Sequence, residues 1–296
     1  MQTASSISTA NTATGRAEEL RLLEVLRRAT GYLSAHGATS ARLDAELLLA
    51  HALGLRRLDL YLQFERPLSE PELAAYRTLI ARRGAGEPVA YLLGHKEFMK
   101  LDFEVTPEVL VPNPDTEVLV LRAIAWARER GGSLRVADVG TGSGCIAVAL
   151  AHYVAELELW ASDDDPGALA VARRNLAAHG LESRVRVVQG DLLEPLPAGL
   201  DLICANLPYL VEGDPLPPEV VAQPRHALFA GESGAALVRR LLRAAPAHLS
   251  PGGLVLLELD PGVADAVVAE LAAYASHRFH RDLQGQVRVL EAANRE

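Results

Sequence analysis

The chain has 296 residues, with 29 basic against 38 acidic side chains and a formal net charge of −9. This acidic balance argues against a protein that mainly grips a phosphate backbone, because such contacts come from Lys and Arg. No run of about 18 apolar residues is present, so we expect no membrane span. The two cysteines, Cys145 and Cys204, lie inside apolar runs, which is not a disulfide framework and fits a reducing compartment such as the cytoplasm.

The first part of the chain predicts a tail and a helical domain. Residues 1–15 are small and polar, so we expect a disordered tail rather than a secretory signal. Residues 16–90 show helical periodicity and predict a small helical domain. Two apolar helix faces are predicted, formed by Leu20, Leu22, Leu23, Val25 and Leu26 and by Leu43, Leu47, Leu48, Leu49 and Leu53. A third helix is predicted to begin at Ser69, where Glu72 completes a capping-box pattern.

The rest of the chain predicts an α/β domain. Residues 91–112 are interpreted as a hairpin and linker, because short alternating apolar positions are followed by prolines. Over residues 113–296 strands alternate with helices, which predicts a mostly parallel, doubly wound sheet. Strands are predicted at 134–140, 157–163, 184–191, 201–209 and 253–260, and helices around 234–248 and 263–274. The end of the chain predicts an antiparallel hairpin that turns at Gln284-Gly285.

A glycine-rich turn follows the first predicted strand of this domain. Its residues are Asp138, Gly140, Thr141, Gly142, Ser143 and Gly144. Glycines let the backbone turn tightly and approach a ligand closely. The G-x-G-x-G spacing differs from the dinucleotide pattern, and no Gly-Lys-Ser/Thr ending follows, so a phosphate cradle is not favoured. The alternative is a tight strand-to-helix turn without a ligand.

Carboxylates at the ends of the next two predicted strands favour a ligand-binding role for this loop. Asp163 is placed to accept hydrogen bonds from both hydroxyls of a ribose, and Asp191 lies where an adenine amino group would be. Asp165, before Pro166, is interpreted as a helix N-cap, with Asp164 as its solvated neighbour. The loop and carboxylates resemble the S-adenosylmethionine site of Rossmann-like methyltransferases. That resemblance implies their seven-stranded sheet and their cofactor, a sulfonium with no pyrophosphate to hold.

The sequence Asn206-Leu207-Pro208-Tyr209 follows a further apolar strand and so lies at the same sheet edge. A planar amide or aromatic amino group is hard to methylate, because its nitrogen lone pair is delocalised. Two acceptors aimed at the NH₂ protons, the Asn206 side-chain oxygen and the Leu207 carbonyl, would orient such a group. Pro208 restricts Leu207 to extended geometry, and Tyr209 can stack on the acceptor. The alternative is a Pro-Tyr turn with no catalytic role.

This tetrapeptide resembles the (Asn/Asp)-Pro-Pro-(Tyr/Phe/Trp) motif of amino methyltransferases that act on adenine, cytosine and glutamine amides. The segments 41–54, 87–105, 109–120 and 224–234 closely resemble the HemK/PrmC family. Its members are N(5)-glutamine methyltransferases of bacterial peptide chain release factors, and the resemblance spans residues 17–292. It implies S-adenosylmethionine as cofactor, the Gly-Gly-Gln segment of a release factor as acceptor, and a substrate-recognition role for the helical domain.

The resemblance also implies residue roles. The loop from Gly140 to Gly144 would line the methionine moiety, Asp163 the ribose, and Leu192 beside Asp191 the adenine. Residues 206–209 would bind the acceptor glutamine. Pro112 to Glu117 are assigned either to the site mouth or to a linker with a helix cap at Asp115. Four places depart from the family pattern: Leu207 for Pro, Asn113 for Arg, Met99-Lys100 for an aromatic-Gly pair, and Gln223 for Glu.

Other functions stay open from sequence alone. Asn-Leu-Pro-Tyr is typical of ribosomal-RNA adenine dimethyltransferases, so an adenine N6-methyltransferase of RNA or DNA is the first alternative. A glutamine methyltransferase for another protein, such as a ribosomal protein, is the second, and a non-catalytic binding module is the third. We expect a monomer without a metal, because the histidines, His277 and His280 among them, are not joined by other ligands.

The charge divides unevenly along the chain. The first 100 residues carry 13 basic and 11 acidic side chains, and the remainder carries 16 and 27. The acidity therefore belongs to the predicted methyltransferase domain, where carboxylates suit a cationic cofactor. The slightly basic helical domain is the better candidate for docking a partner protein.

Overall fold

The structure, a computed structural model, describes residues 20–213, 215–231, 234–281 and 285–296. The chain divides into two compact units, residues 1–85 and 86–296. The predicted hairpin therefore belongs to the second unit. The predicted tail, residues 1–15, lies outside the described residues, as does Gln284 of the predicted turn.

The first unit is helical, as the periodicity predicts. Its helices are α1 Leu22–Ala35, α2 Ala41–Leu53, α3 Arg57–Tyr61 and α4 Glu70–Gly84. The capping box at α4 is present, because the Ser69 backbone N–H donates to Glu72 Oε2 at 2.8 Å. The predicted apolar face of α2 is wrong at Leu43, which is 40% exposed. That helix buries Asp44 instead, because the Arg83 guanidinium donates to its carboxylate at 2.8 Å.

The second unit begins with a short helix and a hairpin, α5 Val89–Leu93, β1 His95–Phe98 and β2 Leu101–Glu104. The two strands pair antiparallel through a two-residue turn of Met99 and Lys100. Both turn residues have positive φ, 51° and 62°, as a type I′ turn requires. Side chains rarely adopt this conformation, so Lys100 is strained where the family pattern has Gly.

A seven-stranded sheet forms the centre of the second unit. Its strands are β3 Leu134–Val139, β4 Leu157–Asp163, β5 Val185–Gln189, β6 Leu200–Ala205, β7 Leu249–Glu258, β8 Ser276–Arg281 and β9 Val287–Ala293. Their order is β5-β4-β3-β6-β7-β9-β8, with β3 to β7 parallel and the last two antiparallel. This confirms the predicted doubly wound sheet and its terminal hairpin.

The helices that follow α5 in the described part of this unit are α6 Thr116–Arg130, α7 Cys145–Tyr153, α8 Pro166–Ala178, α9 Pro218–Val221, α10 Arg225–Leu228, α11 Ala236–His248 and α12 Pro261–Ala264. The prediction of one helix over 263–274 is wrong, because 3₁₀ turns at Asp265–Val267 and Glu270–Ala273 replace it. The valines of this segment have low helix propensity. Val267 and Leu271 are buried even though this segment does not form a regular α-helix.

The sheet is buried on both faces. Side chains that are neighbours along β3, Val136 and Ala137, belong to separate apolar clusters, because successive residues of a strand point to opposite faces. One cluster includes buried residues of α6 and α7, and the other includes buried residues of α11. Loops can therefore reach solvent mainly at the strand ends. Within the described part of the chain, the helices are too short or too polar to span a bilayer.

Candidate active site

A pocket lies at the carboxyl ends of the parallel strands. Most of the residues predicted from the sequence line it: Gly140, Thr141, Gly142, Ser143, Asp163, Asp191, Leu192, Asn206, Leu207 and Pro208. Asp164, interpreted from the sequence as a solvated neighbour of the helix cap, also lines the pocket. Pro112, Asn113 and Thr116 of the segment before α6 join them. Asp138, Gly144 and Tyr209 do not line the pocket. The structure thus brings the glycine loop and the tetrapeptide to one cavity.

The glycine loop has the left-handed backbone that its residues predict. Gly140, Gly142 and Gly144 have φ of +69°, +53° and +80°. A Cβ on Gly140 would lie 3.0 Å from Leu207 Cδ2, and one on Gly144 would lie 3.2 Å from the Ala172 Cβ. A Cβ on Gly142 would meet nothing within 4 Å. Gly140 and Gly144 therefore permit close packing, whereas Gly142 leaves open space at the pocket wall.

Asp138 fixes the glycine loop by hydrogen bonds on its buried side. The side chain is fully buried, and its Oδ2 accepts hydrogen bonds from Thr141 Oγ1 at 2.6 Å and from the Ala147 N–H at 3.1 Å. Burial, together with a smaller contribution from the nearby charge of Asp163, raises the pKa of Asp138 to about 7, although its two hydrogen bonds act in the opposite direction. Asp138 thus shapes the loop without touching the pocket.

Asp163 joins the end of β4 to the glycine loop. Its Oδ2 accepts from the Gly142 N–H at 2.9 Å, and its Oδ1 accepts from the Asp165 N–H at 3.0 Å. Burial raises the pKa of this carboxyl, and so do the charges of Asp164 and Asp165, although the two backbone donors lower it. The predicted N-cap is confirmed, because Asp165 Oδ1 accepts from the Ala168 N–H at 2.8 Å.

Asp191 lies two residues beyond β5, which is shorter than the predicted strand over 184–191. Its carboxylate lines the pocket and also accepts from Arg240 Nη2 at 2.5 Å. The neighbouring Leu192 has φ of +49°, a strained backbone for a side chain of this size. Such strain is typical of functional sites, and here it brings Leu192 onto the pocket wall.

The tetrapeptide begins directly after β6, which ends at Ala205 and not at the predicted 209. The Asn206 Nδ2 donates to Thr116 Oγ1 at 3.1 Å. Leu207 is buried beneath the glycine loop. Burial raises the pKa of Tyr209 to about 12, so its phenol is neutral at ordinary pH.

Two contacts near the pocket could not be read from any motif. The Asn175 amide donates to the Ser143 carbonyl at 2.8 Å and accepts from the Glu104 N–H at 2.7 Å, which ties the glycine loop to β2. A buried Asn inside an apolar helix was the available signal. Gln223 accepts from the Val111 N–H at 2.9 Å, so this departure from the family pattern holds a pocket-lining segment.

The segment before α6 forms a turn at the pocket. Asn113 Oδ1 accepts from the Asp115 N–H at 3.1 Å, and its carbonyl accepts from the Thr116 N–H at 3.0 Å. The alternative of a helix cap at Asp115 is wrong for its side chain, which makes no capping hydrogen bond. The carboxylate pairs with Arg288 at 3.2 Å instead.

The pocket fits S-adenosylmethionine. The acidic and basic side chains among its described lining residues are the carboxylates of Glu108, Asp163, Asp164 and Asp191 and the imidazole of His226. Carboxylates suit a cation and a ribose diol, whereas the lack of Lys and Arg on this described wall disfavours a pyrophosphate. Apolar side chains, including those of Val109, Ile146 and Leu192, supply surface for an adenine ring.

Thiol and metal chemistry have little support. Cys145 and Cys204 are free and buried, and burial raises the pKa of both thiols, that of Cys145 to about 12. A thiol with so high a pKa is a poor nucleophile. In the described ranges, no three His, Cys, Asp or Glu side chains cluster to hold a metal ion.

Comparison with a solved structure supports the fold, and the family models and curated relatives give the class. The chain is similar to the Thermus thermophilus 16S rRNA N2 G1207 methyltransferase solved with AdoMet and guanosine, with a TM-score of 0.52 and 19% identity over 68% of this chain and 50% of that one. Residues 119–260 match the methyltransferase small domain, and residues 24–94 match the PrmC N-terminal domain. The protein is a Rossmann-like, S-adenosylmethionine-dependent methyltransferase.

Curated relatives define the family more closely. The release factor glutamine methyltransferase of Geobacter sulfurreducens is 44% identical over 259 residues, covering 86% of this chain and 89% of the relative. That of Moorella thermoacetica is 40% identical over 283 residues, covering 94% and 100%. The chain belongs to the release factor glutamine methyltransferase family.

Proposed function

We propose that this enzyme transfers a methyl group from S-adenosylmethionine to the side-chain amide nitrogen of the glutamine in the Gly-Gly-Gln segment of peptide chain release factors. One observation carries the proposal: Asn206, Leu207 and Pro208 share a single pocket with the glycine loop and Asp163. The bound cofactor and the tetrapeptide that orients the acceptor amide would therefore lie in the same pocket. The family membership supplies the acceptor class.

The residues of the chain would divide the work. Asp163 would accept from the ribose, the glycine loop would face the methionine moiety, and Leu192 with Asp191 would contact the adenine. The bound cofactor supplies an electrophilic methyl group on a sulfonium. The Asn206 side-chain oxygen and the Leu207 carbonyl would accept the two amide protons of the glutamine. Transfer then depends on alignment of the amide nitrogen more than on a strong base.

The direct test uses labelled S-adenosylmethionine, the purified enzyme and a purified release factor. We expect label in the factor, and we expect no label when Asn206 is changed to Ala or when the glutamine of the factor's Gly-Gly-Gln segment is replaced by alanine. Label that enters RNA or DNA but not the factor would support the adenine alternative and overturn the proposal. The net charge of −9 argues against that alternative, because contacts to a phosphate backbone come from Lys and Arg.

We also propose that the helical unit docks the release factor. Leu58 of α3 is 72% exposed, and Leu62, the residue that follows the end of α3, is 84% exposed. These two side chains leave apolar surface exposed on this unit. The double variant Leu58→Ser, Leu62→Ser is expected to raise KM for the factor with little change in kcat. An unchanged KM would contradict this docking role for α3.

A cytoplasmic monomer completes the proposal. The free buried thiols of Cys145 and Cys204 suit a reducing compartment. Light scattering of the purified enzyme is expected to give the mass of one chain. The mass of a dimer at working concentration would contradict this part.

A further inference from the structure

The orientation of the Asn206 amide is the point on which the proposed chemistry depends. Its oxygen must face the acceptor glutamine, because an NH₂ group there would meet the NH₂ of the substrate, donor against donor. The terminal torsion of Asn has two broad states that differ by a half-turn. The oxygen and nitrogen ends have nearly the same size, so packing alone does not choose between them. A hydrogen bond has to choose.

Thr116 makes that hydrogen bond. Its Oγ1 accepts from Asn206 Nδ2 at 3.1 Å, although 90 residues separate the two in sequence. Thr116 is the first residue of α6 and is 2% exposed. Its own position is fixed by the turn at Asn113, whose carbonyl accepts the Thr116 N–H at 3.0 Å. The hydroxyl therefore sits at a defined place beside the amide.

Glu258, the last residue of β7, sets the direction of this contact. Glu258 is 3% exposed, and the Thr116 hydroxyl interacts with its carboxylate, an interaction that lowers the pKa of this carboxyl against the effect of burial. A hydroxyl has one proton, and a carboxylate can only accept. When Glu258 is ionised, the Thr116 proton goes to its carboxylate, so Thr116 can only accept from Asn206 and selects the NH₂ end of that amide. Since the pKa of Glu258 is raised to about 7, this form dominates above about pH 7. The Asn206 oxygen is then turned away from Thr116.

We infer that Thr116, held by Glu258, is a positioning residue that keeps the Asn206 oxygen directed at the acceptor amide. The inference rests on the proposed function, since it assigns a reason for that orientation. Thr116 lines the pocket, and in this role it acts through Asn206. Its effect should therefore appear in the chemical step and not in binding.

The test compares Thr116→Val with Thr116→Ser in the full-length enzyme. Valine keeps the shape and removes the hydroxyl, so kcat for release factor methylation is expected to fall about 10- to 100-fold, as for a misoriented catalytic group. KM for the factor and the Kd of S-adenosylhomocysteine are expected to change less than about threefold. Serine keeps the hydroxyl, and its kcat is expected to stay within about threefold of wild type.

A matched control and a second variant separate orientation from general damage. Ser250 Oγ donates to Asp201 Oδ1 at 2.8 Å at the amino ends of β6 and β7, so Ser250→Ala removes a similar hydroxyl-to-carboxylate bond at the opposite sheet edge. Its kcat should match wild type. Glu258→Met removes the acceptor at similar volume and frees the Thr116 proton to turn toward the Asn206 oxygen. Its kcat should fall as well.

The outcomes are distinguishable. Wild-type kcat in both Thr116→Val and Glu258→Met, with Asn206→Ala inactive, would overturn the positioning role and leave the proposed function intact. A wild-type enzyme that does not methylate the factor would overturn the proposed function. In that case the NMR signals of the Asn206 side-chain NH₂ group test the role of Thr116. These signals are assigned by their loss in Asn206→Ala. They should shift in Thr116→Val and not in Ser250→Ala, and an absence of that shift would refute the contact.

Discussion

Gly140→Ala is expected to destabilise the catalytic unit through two separate effects. The first is backbone strain: φ is +69°, and an L side chain there costs about 1–2 kcal/mol. Loss of glycine's freedom in the unfolded chain returns about 0.5–1 kcal/mol of that. The second effect is steric, since the new Cβ would lie 3.0 Å from Leu207 Cδ2. Leu207 is 4% exposed and cannot move aside freely, so overpacking adds about 1–3 kcal/mol.

Gly180→Ala is the matched control for the strain. Gly180 has φ of +66°, and a Cβ there would meet nothing within 4 Å. Its loss is expected to be about 0.5–1 kcal/mol, against about 2–4 kcal/mol for Gly140→Ala. Urea denaturation followed by tryptophan fluorescence measures both, because Trp126 and Trp160 both lie in the second unit. Equal losses in the two variants would refute the contact between Gly140 and Leu207.

Three further predictions concern stability, pH and cofactor binding. Lys100→Gly should raise the free energy of unfolding by about 0.5–1 kcal/mol, because it relieves a positive φ in the β1–β2 turn; a lower Tm would contradict this. Burial raises the pKa of Glu258 to about 7 from an ordinary value of about 4.3, so its protonated form stabilises the fold at low pH and that contribution is lost as pH rises through 7. Glu258→Gln should therefore gain stability relative to wild type between pH 5 and pH 8, and a constant difference in urea titrations would argue against it. Asp163→Asn should weaken S-adenosylhomocysteine binding about tenfold or more by calorimetry, whereas Asp165→Asn should not, because Asp165 serves as a helix cap.

The parts of the fold and site that follow strand ends were predictable from sequence. The sheet, the glycine loop, Asp163 and Asn206 depend on short patterns, since a strand and the turn after it are local features of the chain. The predicted ends of β5 and β6 were too long, because the residues after Gln189 and Ala205 leave the strand pairing and form the loops of the pocket. Boundaries depend on partner strands that a single sequence does not show.

Contacts between distant segments were not predictable. Asn175 reaches back to Ser143, and Thr116 meets both Asn206 and Glu258. Each contact joins residues that lie 32 or more positions apart in the sequence, and no spacing rule predicts that they meet. Leu43 was misassigned for a similar reason, because the ion pair of Asp44 with Arg83 allows an acidic residue to take the buried position.

The acceptor nitrogen is the central claim, and mass spectrometry of the product tests it most directly. A release factor incubated with the enzyme and S-adenosylmethionine would be digested and fragmented to place the added mass on one residue. The account predicts one methyl group on the glutamine of the Gly-Gly-Gln segment, present with wild-type enzyme and absent with Asn206→Ala. A methyl group on another residue, or an unmodified factor beside methylated adenine in added RNA, would contradict it.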